Sequence, residues 1–280
     1  MNEGEKNKVK ILVCCHKAGE WLNDDVYLPI QCGKAISDLD LGIQGDDTGD
    51  NISAKNKNYC ELTAIYWAWK NLRDMDYVGL VHYRRYFMLK GHICYPREVL
   101  YVNDMSVISD FLLEKNELIR LLKKSDVILP VKKTLSLSLK RNYCSNHISE
   151  DFSILRDVVK EKSPEYLSSF DQVMNKNNSA SFYNMFVFPF RIFNDYCTWL
   201  FDLLFEVERR ISISLYPYQA RVLGFMGERL LNVYCFHHGL KITYKPILFI
   251  GSSDPYGYFM YLMNRLRNNI SFLLSSYFAY

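Results

Sequence analysis

The spacing of apolar and polar positions along the chain predicts alternating strands and helices. Val9 to Cys15 is a continuous apolar run after a polar start, which predicts a buried first strand. Tyr77-Val-Gly-Leu-Val-His82 and Asp126-Val-Ile-Leu-Pro-Val131 predict two more, with Gly79 letting another backbone come close. Between them, Tyr59 to Leu72 carries Leu62, Ile65, Tyr66, Trp69 and Leu72 at helical spacing, with Asn58 as N-cap and Glu61 completing a capping box. Val107 to Lys124 reads as a helix ending in two lysines, where cations suit the helix dipole. This alternation argues for a largely parallel sheet.

The second half is read the same way. Gly45 to Ser53 is dense in Gly, Asp and Asn and predicts a loop. From Lys132 to Asp151 the pattern fails, leaving either a mobile loop over a site or a solvated excursion. Phe152 to Asn175 predicts two helices broken near Pro164, Ala180 to Pro189 a strand, and Phe193 to Ile211 an amphipathic helix. Gly224-Phe-Met-Gly-Glu-Arg229 precedes a helix that Gly239 stops, and Lys241 to Ile250 is a last strand. Residues 256–280 are rich in Tyr, Phe, Leu and Met, carry Arg265 and Arg267, and have no acid. That composition fits an interfacial membrane helix or a helix docked on the core. The expected organisation is one α/β domain over 1–255 followed by an amphipathic tail.

Composition narrows the classes. In 280 residues, 49% hydrophobic positions supply the core of one large domain. A formal charge of +3 makes no case for nucleic acid. The eight cysteines, at 14, 15, 32, 60, 94, 144, 197 and 235, include no C-x-x-C pair and read as reduced thiols of a cytosolic protein. The polar N-terminus lacks the apolar region of a signal peptide, and no apolar run is long enough to span a bilayer.

The most informative stretch is the Tyr77 strand running into His82-Tyr-Arg84-Arg85-Tyr-Phe87. In α/β sheets ligands lie beyond the carboxyl ends of strands. Two guanidinium forks there suit a diphosphate, although pairing with surface carboxylates would also explain them. His82 is open to a ligand role or to the commoner fate of a packed core histidine. Asn184, a polar residue among aromatics, contacts a ligand or caps a turn.

Lys10-Ile-Leu-Val-Cys-Cys-His-Lys17, Pro29-Ile-Gln-Cys-Gly33, Gly49-Asp-Asn-Ile-Ser53, the segment from Asn58 to Asn71, Gly79 to Phe87 and Gly224 to Asn232 together resemble the domain-of-unknown-function 4422 family. The resemblance runs from about residue 9 to about residue 250. It implies a bacterial glycosyltransferase of capsule, exopolysaccharide or O-antigen synthesis, in some members a galactofuranosyltransferase. The implied fold is a single GT-A-like α/β domain with a mostly parallel central sheet flanked by helices. Residues 9–131 would form its nucleotide-sugar half and 132–255 its acceptor half. The implied partners are a UDP-sugar donor, a polyprenyl-diphosphate-linked glycan acceptor and the inner face of the cell membrane.

Carried onto these positions, the resemblance places Cys15, His16 and Lys17 near uridine or ribose, and Asp50 and Asn51 near base or ribose. His82 and Asn184 join the donor contacts. Many GT-A enzymes hold a metal with Asp-x-Asp where the middle strand ends. Here Arg84 and Arg85 stand in that place, so they are expected to neutralise the leaving diphosphate with no cofactor required. Asp46, Asp47 and Asp50 form an alternative metal cluster. An inverting transfer needs one carboxylate base. Glu228 is the choice, against a simple helix-start role. Arg229 binds phosphate or pairs with Glu228, while Glu61 is explained by its capping box. A non-catalytic nucleotide-sugar module and a sugar-phosphate nucleotidylyltransferase are the alternatives. Cys14-Cys-His-Lys-Ala-Gly19 is not the Gly-rich loop the latter would show.

Overall fold

Apolar runs become central strands where helices cover both faces of a sheet. A computed structural model describes residues 7–91, 97–251 and 257–277. Val9–Cys15 forms β1, Tyr27–Gln31 β2 and Gln44–Gly45 β3. Helices α1 (Asn56–Tyr59) and α2 (Leu62–Asn71) lead to β4 (Tyr77–His82), β5 (Arg85–Phe87) and β6 (Val99–Val102). Then come α3 (Lys115–Leu122), β7 (Val127–Pro130), β8 (Lys133–Thr134), α4 (Leu139–Asn146), α5 (Ser149–Lys162) and α6 (Leu167–Lys176). Strands β9 (Ser179–Ala180) and β10 (Phe186–Pro189) precede α7 (Phe190–Arg210) and α8 (Val222–His237). Strands β11 (Ile242–Lys245) and β12 (Ile247–Ile250) and helix α9 (Gly257–Tyr277) follow.

The central sheet runs β11-β7-β10-β4-β1-β2-β3, with β5, β6 and β12 attached beside it. β4, β1, β2 and β3 are parallel neighbours, whereas β10 runs antiparallel between β4 and β7. The sheet is therefore mixed at its centre. Gly79 allows this insertion. A Cβ there would lie 2.8 Å from the Phe186 carbonyl oxygen. The register pairs Cys14 with His82, so β1 and β4 end level with each other. The two sheet faces carry two cores, one under α2 and α4 to α8 and one under α3 and β12. Cys14 belongs to the first and Cys15 to the second, as strand alternation requires.

Several expectations change. The helix expected over Tyr59 to Leu72 is two helices, because Cys60 adopts φ 53° between them. The capping box does not form: the Asn58 amide donates to the Ala220 carbonyl instead, at 2.9 Å. The helix expected from Val107 is a 3-10 turn, Met105–Phe111, followed by α3, which has its own Glu114–Glu117 capping box. The stretch from Lys132 to Asp151 is not a loop. It forms β8 and α4, whose Leu139 and Tyr143 are buried on the helix-rich core. A stripe of only two apolar positions was too sparse to show a period. The last strand divides at Pro246, which has no N–H for the ladder.

Helix α9 rests against β8. Asn268 donates to the Thr134 carbonyl at 2.9 Å, and Arg141 donates to that of Ser275 at 3.0 Å. Its Phe259, Met260, Leu266 and Leu273 remain exposed. Among the described residues no helix is long and apolar enough to cross a membrane.

Candidate functional site

A cleft of about 980 Å³ opens at the carboxyl ends of β1 and β4. Cys14, His16 and His82 line it from the strands and Arg85 from β5. Cys60 and Glu61 face it from the α1–α2 junction, Phe225 and Glu228 from α8. Leu215, Tyr218 and Arg221 form its lip, with Leu215 almost wholly exposed.

Two glycines bring the walls together. A Cβ on Gly224 would meet Cys60 Sγ at 3.0 Å, and one on Gly227 would meet Leu62 Cδ1 at 2.8 Å. Their i, i+3 spacing makes one bare strip along α8 that presses on the α1–α2 junction. Glu61 and Glu228 are thereby drawn to one cleft. Helix α8 starts at Val222, so Glu228 lies in its second turn. The helix-start explanation of this glutamate, which assumed a later beginning, falls away.

The segment Ser181 to Asn184 connects these walls. Tyr183 and Asn184 adopt φ 74° and 51°, a conformation that costs non-glycine residues about 1–3 kcal/mol each. Asn232 holds the segment's start, accepting from Ser181 N at 2.9 Å and donating to its carbonyl at 2.8 Å. One turn earlier on α8, Glu228 Oε1 accepts from Tyr183 N at 2.9 Å. His82 Nε2 donates to the Tyr183 carbonyl at 2.8 Å, and Asn184 Nδ2 donates to Glu61 Oε1 at 2.7 Å.

Charge and burial set the chemistry. Burial, helped by the Glu61 charge, pushes the Glu228 carboxyl up to about 7. Burial lowers the His82 imidazole, despite the opposing pull of Glu61, and also lowers His16, with Lys17 adding to the effect. Arg85 sits over the rings of Tyr183 and Phe249, 4.9 Å from each centroid. Arg221 donates to Cys60 Sγ at 3.2 Å. The cleft thus combines a carboxyl that holds its proton up to about pH 7 with two guanidinium groups.

The structure brings His16, His82, Arg85 and Glu228 together in this cleft. Arg84 faces elsewhere. Its Nε donates to the Ile250 carbonyl and its Nη2 to that of Gly251, each at 2.9 Å, and with Lys17 it lines a separate cavity of about 420 Å³. Cys15 is buried on the opposite sheet face, its thiol pushed up to about 12 by burial. Its neighbour Cys14 takes the cleft position. Asp50 accepts from the Tyr66 hydroxyl at 3.1 Å, and the Asn51 amide donates to the Asp47 and Gly49 carbonyls, each at 3.0 Å. Both residues shape their own loop.

Asn184 is buried and reaches the cleft only through Glu61. Arg229 is buried behind α8, 4.9 Å from the Tyr143 ring centroid and donating to the Phe225 carbonyl at 2.9 Å. Asp46 is no free metal ligand, since its carboxylate already accepts from Gly33 N, Lys34 N, Ser53 Oγ and Thr63 Oγ1. Tyr183, Tyr218 and Arg221 were not singled out by sequence reasoning, and Glu61 was set aside as a capping-box residue. Gly224-x-x-Gly227 was the available signal for a close approach of α8, but its partner helix was not legible.

An α/β sheet with a polar cleft at the carboxyl ends of its parallel strands defines the class. The chain belongs to the family described as Domain of unknown function (DUF4422), which matches residues 10–239. It is similar to the apo structure of WbbM, described as a bifunctional glycosyltransferase, with 32% identity and a TM-score of 0.82. That likeness covers 90% of this chain and 47% of the other, so this chain spans about half the length of WbbM. No curated protein matches the chain.

Proposed function

We propose that this protein is a GT-A-like glycosyltransferase of surface polysaccharide synthesis. In this reading it moves a hexosyl residue, with galactofuranose the candidate, from UDP to a polyprenyl-diphosphate-linked glycan, with inversion. The likeness to WbbM supports the reaction class. The observation that carries the reading is Glu228, a half-buried carboxyl pushed up to about 7 in the same cleft as Arg85. A general base is most effective when its pKa lies near the working pH.

Glu228 takes the proton of the acceptor hydroxyl as that oxygen bonds to the donor anomeric carbon. The carbon's bond to UDP breaks, and the electron pair leaves on the β-phosphate. Arg85, held between two rings, and Arg221 on the facing lip offset that charge. The neutralising role first assigned to both adjacent arginines thus rests on Arg85 alone of the pair, and no metal is invoked. The exposed apolar side chains of α9 would meet the cytoplasmic face of the membrane, where the acceptor is confined.

A panel of UDP-sugars that includes UDP-galactofuranose tests this reading by thermal stabilisation and by turnover with a lipid-linked acceptor. Stabilisation and transfer with one donor are expected. Stabilisation without turnover of any donor would leave a nucleotide-sugar-binding module.

A further inference from the structure

The segment between β9 and β10 bonds to three ionisable groups that line the cleft. Its Tyr183 N–H reaches Glu228, its Tyr183 carbonyl receives the His82 proton, and its Asn184 amide reaches Glu61. The same amide also donates to the Gly224 carbonyl at 3.3 Å, which fixes which end of Asn184 faces Glu61. Two successive left-handed residues, one of them a tyrosine, persist only where surrounding contacts over-determine them. Here those contacts are the cleft residues themselves, with Asn232 and the Ser181 hydroxyl on the Pro130 carbonyl anchoring the start.

We propose that the Tyr183–Asn184 turn is the positioning device of this cleft: it holds Glu61 as the fixed carboxylate beside Glu228 and leaves Glu228 to carry the exchangeable proton. The inference rests on the glycosyltransferase reading for its chemical purpose, though not for its geometry. Two carboxylates that face one cleft oppose each other's ionisation. Which one keeps the proton depends on the donors each receives. Each receives one: Glu61 the Asn184 side-chain amide, itself held by the Gly224 carbonyl of α8, and Glu228 the Tyr183 backbone N–H.

Other charged and titratable groups surround Glu228. His82 faces it from β4, Arg85 from β5, and Cys60 from the α1–α2 junction. Arg221 stands ahead of α8, Arg229 follows on the same helix, and the Tyr183 hydroxyl belongs to the turn. Burial keeps His82 neutral at neutral pH, so it adds no charge that would reverse the order. Asn184 is therefore a positioning residue, acting through Glu61, and not a catalytic one.

The test is a pH titration of the full chain labelled with ¹³C at glutamate side-chain carboxyls, with the Glu228 signal assigned by its loss in Glu228→Gln. Asn184→Gly removes the amide while glycine accepts the left-handed backbone without strain. With Glu61 released, its charge acts less on Glu228, and the Glu228 midpoint moves down by about one pH unit. Glu61→Gln moves it the same way, and the double variant goes no further than Glu61→Gln alone. The acid limb of the turnover profile follows the same shift while UDP affinity holds. An unmoved midpoint in both folded single variants, or fully additive shifts in the double, overturns the proposal. A moved midpoint in a protein that transfers no sugar would sink the glycosyltransferase reading and leave the positioning device standing.

Discussion

Glu228 sets stability and chemistry against each other. Its ordinary value of 4.5 rises to about 7 in the fold. The folded chain therefore holds this proton more tightly than the unfolded chain does. Stability is unaffected below about pH 4.5, falls as pH rises through the window to 7, and stays lowered above it. The full cost is on the order of 3 kcal/mol. Glu228→Gln keeps the oxygen that Tyr183 N uses and carries no charge. Its melting temperature should exceed that of the wild type at pH 8 and match it near pH 4, as calorimetry at both values would show. Turnover should fall ~10²–10⁴-fold while UDP binding stays. Near-normal turnover would send the search for a base to Glu61.

The neighbouring arginines should separate cleanly. Arg85→Ala weakens UDP binding by about 1.5–3 kcal/mol, and Lys restores it in part because it lacks the planar fork. Arg84→Ala leaves UDP affinity unchanged and lowers melting instead, since it removes two hydrogen bonds that tie the end of β12 to the β4–β5 turn. Equal UDP affinities for the two alanine variants would refute this division. Asp46 is saturated by four donors, so chelation by EDTA should leave turnover intact. Loss with EDTA and recovery with manganese would reverse that assignment.

At the scale of elements, close approach decides the site. Gly79 admits β10 beside β4, and Gly224 and Gly227 admit α8 to the α1–α2 junction. Gly79→Ala would press a methyl group on the backbone oxygen of Phe186, which no rotamer change relieves. The expected cost is about 1–3 kcal/mol, read as a lower denaturant midpoint. An unchanged midpoint would show that the strands can part. The strands themselves were legible: β1 and β4 begin and end where their apolar runs do. The break at Cys60 was not, because a helical period runs unbroken through it. Only contact with α8 and the Ala220 carbonyl makes the local left-handed turn the better arrangement.

At the scale of the whole molecule, α9 lies against the edge of the fold at β8. It meets β8 through a few hydrogen bonds and presents Phe259, Met260, Leu266 and Leu273 outward. A chain ending at Asp254 should stay folded and bind UDP, lose association with anionic liposomes, and turn over a lipid-linked acceptor poorly. Unfolding on truncation, with no liposome binding by the full chain, would make α9 a buttress of the core.

Pattern and composition determined the α/β class, the central strands, the break at Pro164 and the end of α8, because local periodicity and backbone chemistry act over a few residues. The same local reading singled out the arginine pair, and the family resemblance pointed to Glu228. Tertiary structure decided which of those residues share a space. Strand alternation sent Cys15 away and Cys14 inward, and β5 turned Arg85 toward the cleft and Arg84 toward a carbonyl pair. The antiparallel insertion of β10 carried Asn184 to Glu61, 123 positions away. A contact between residues so distant in the chain leaves no local period, and neither does the burial that brings Glu228 to neutrality.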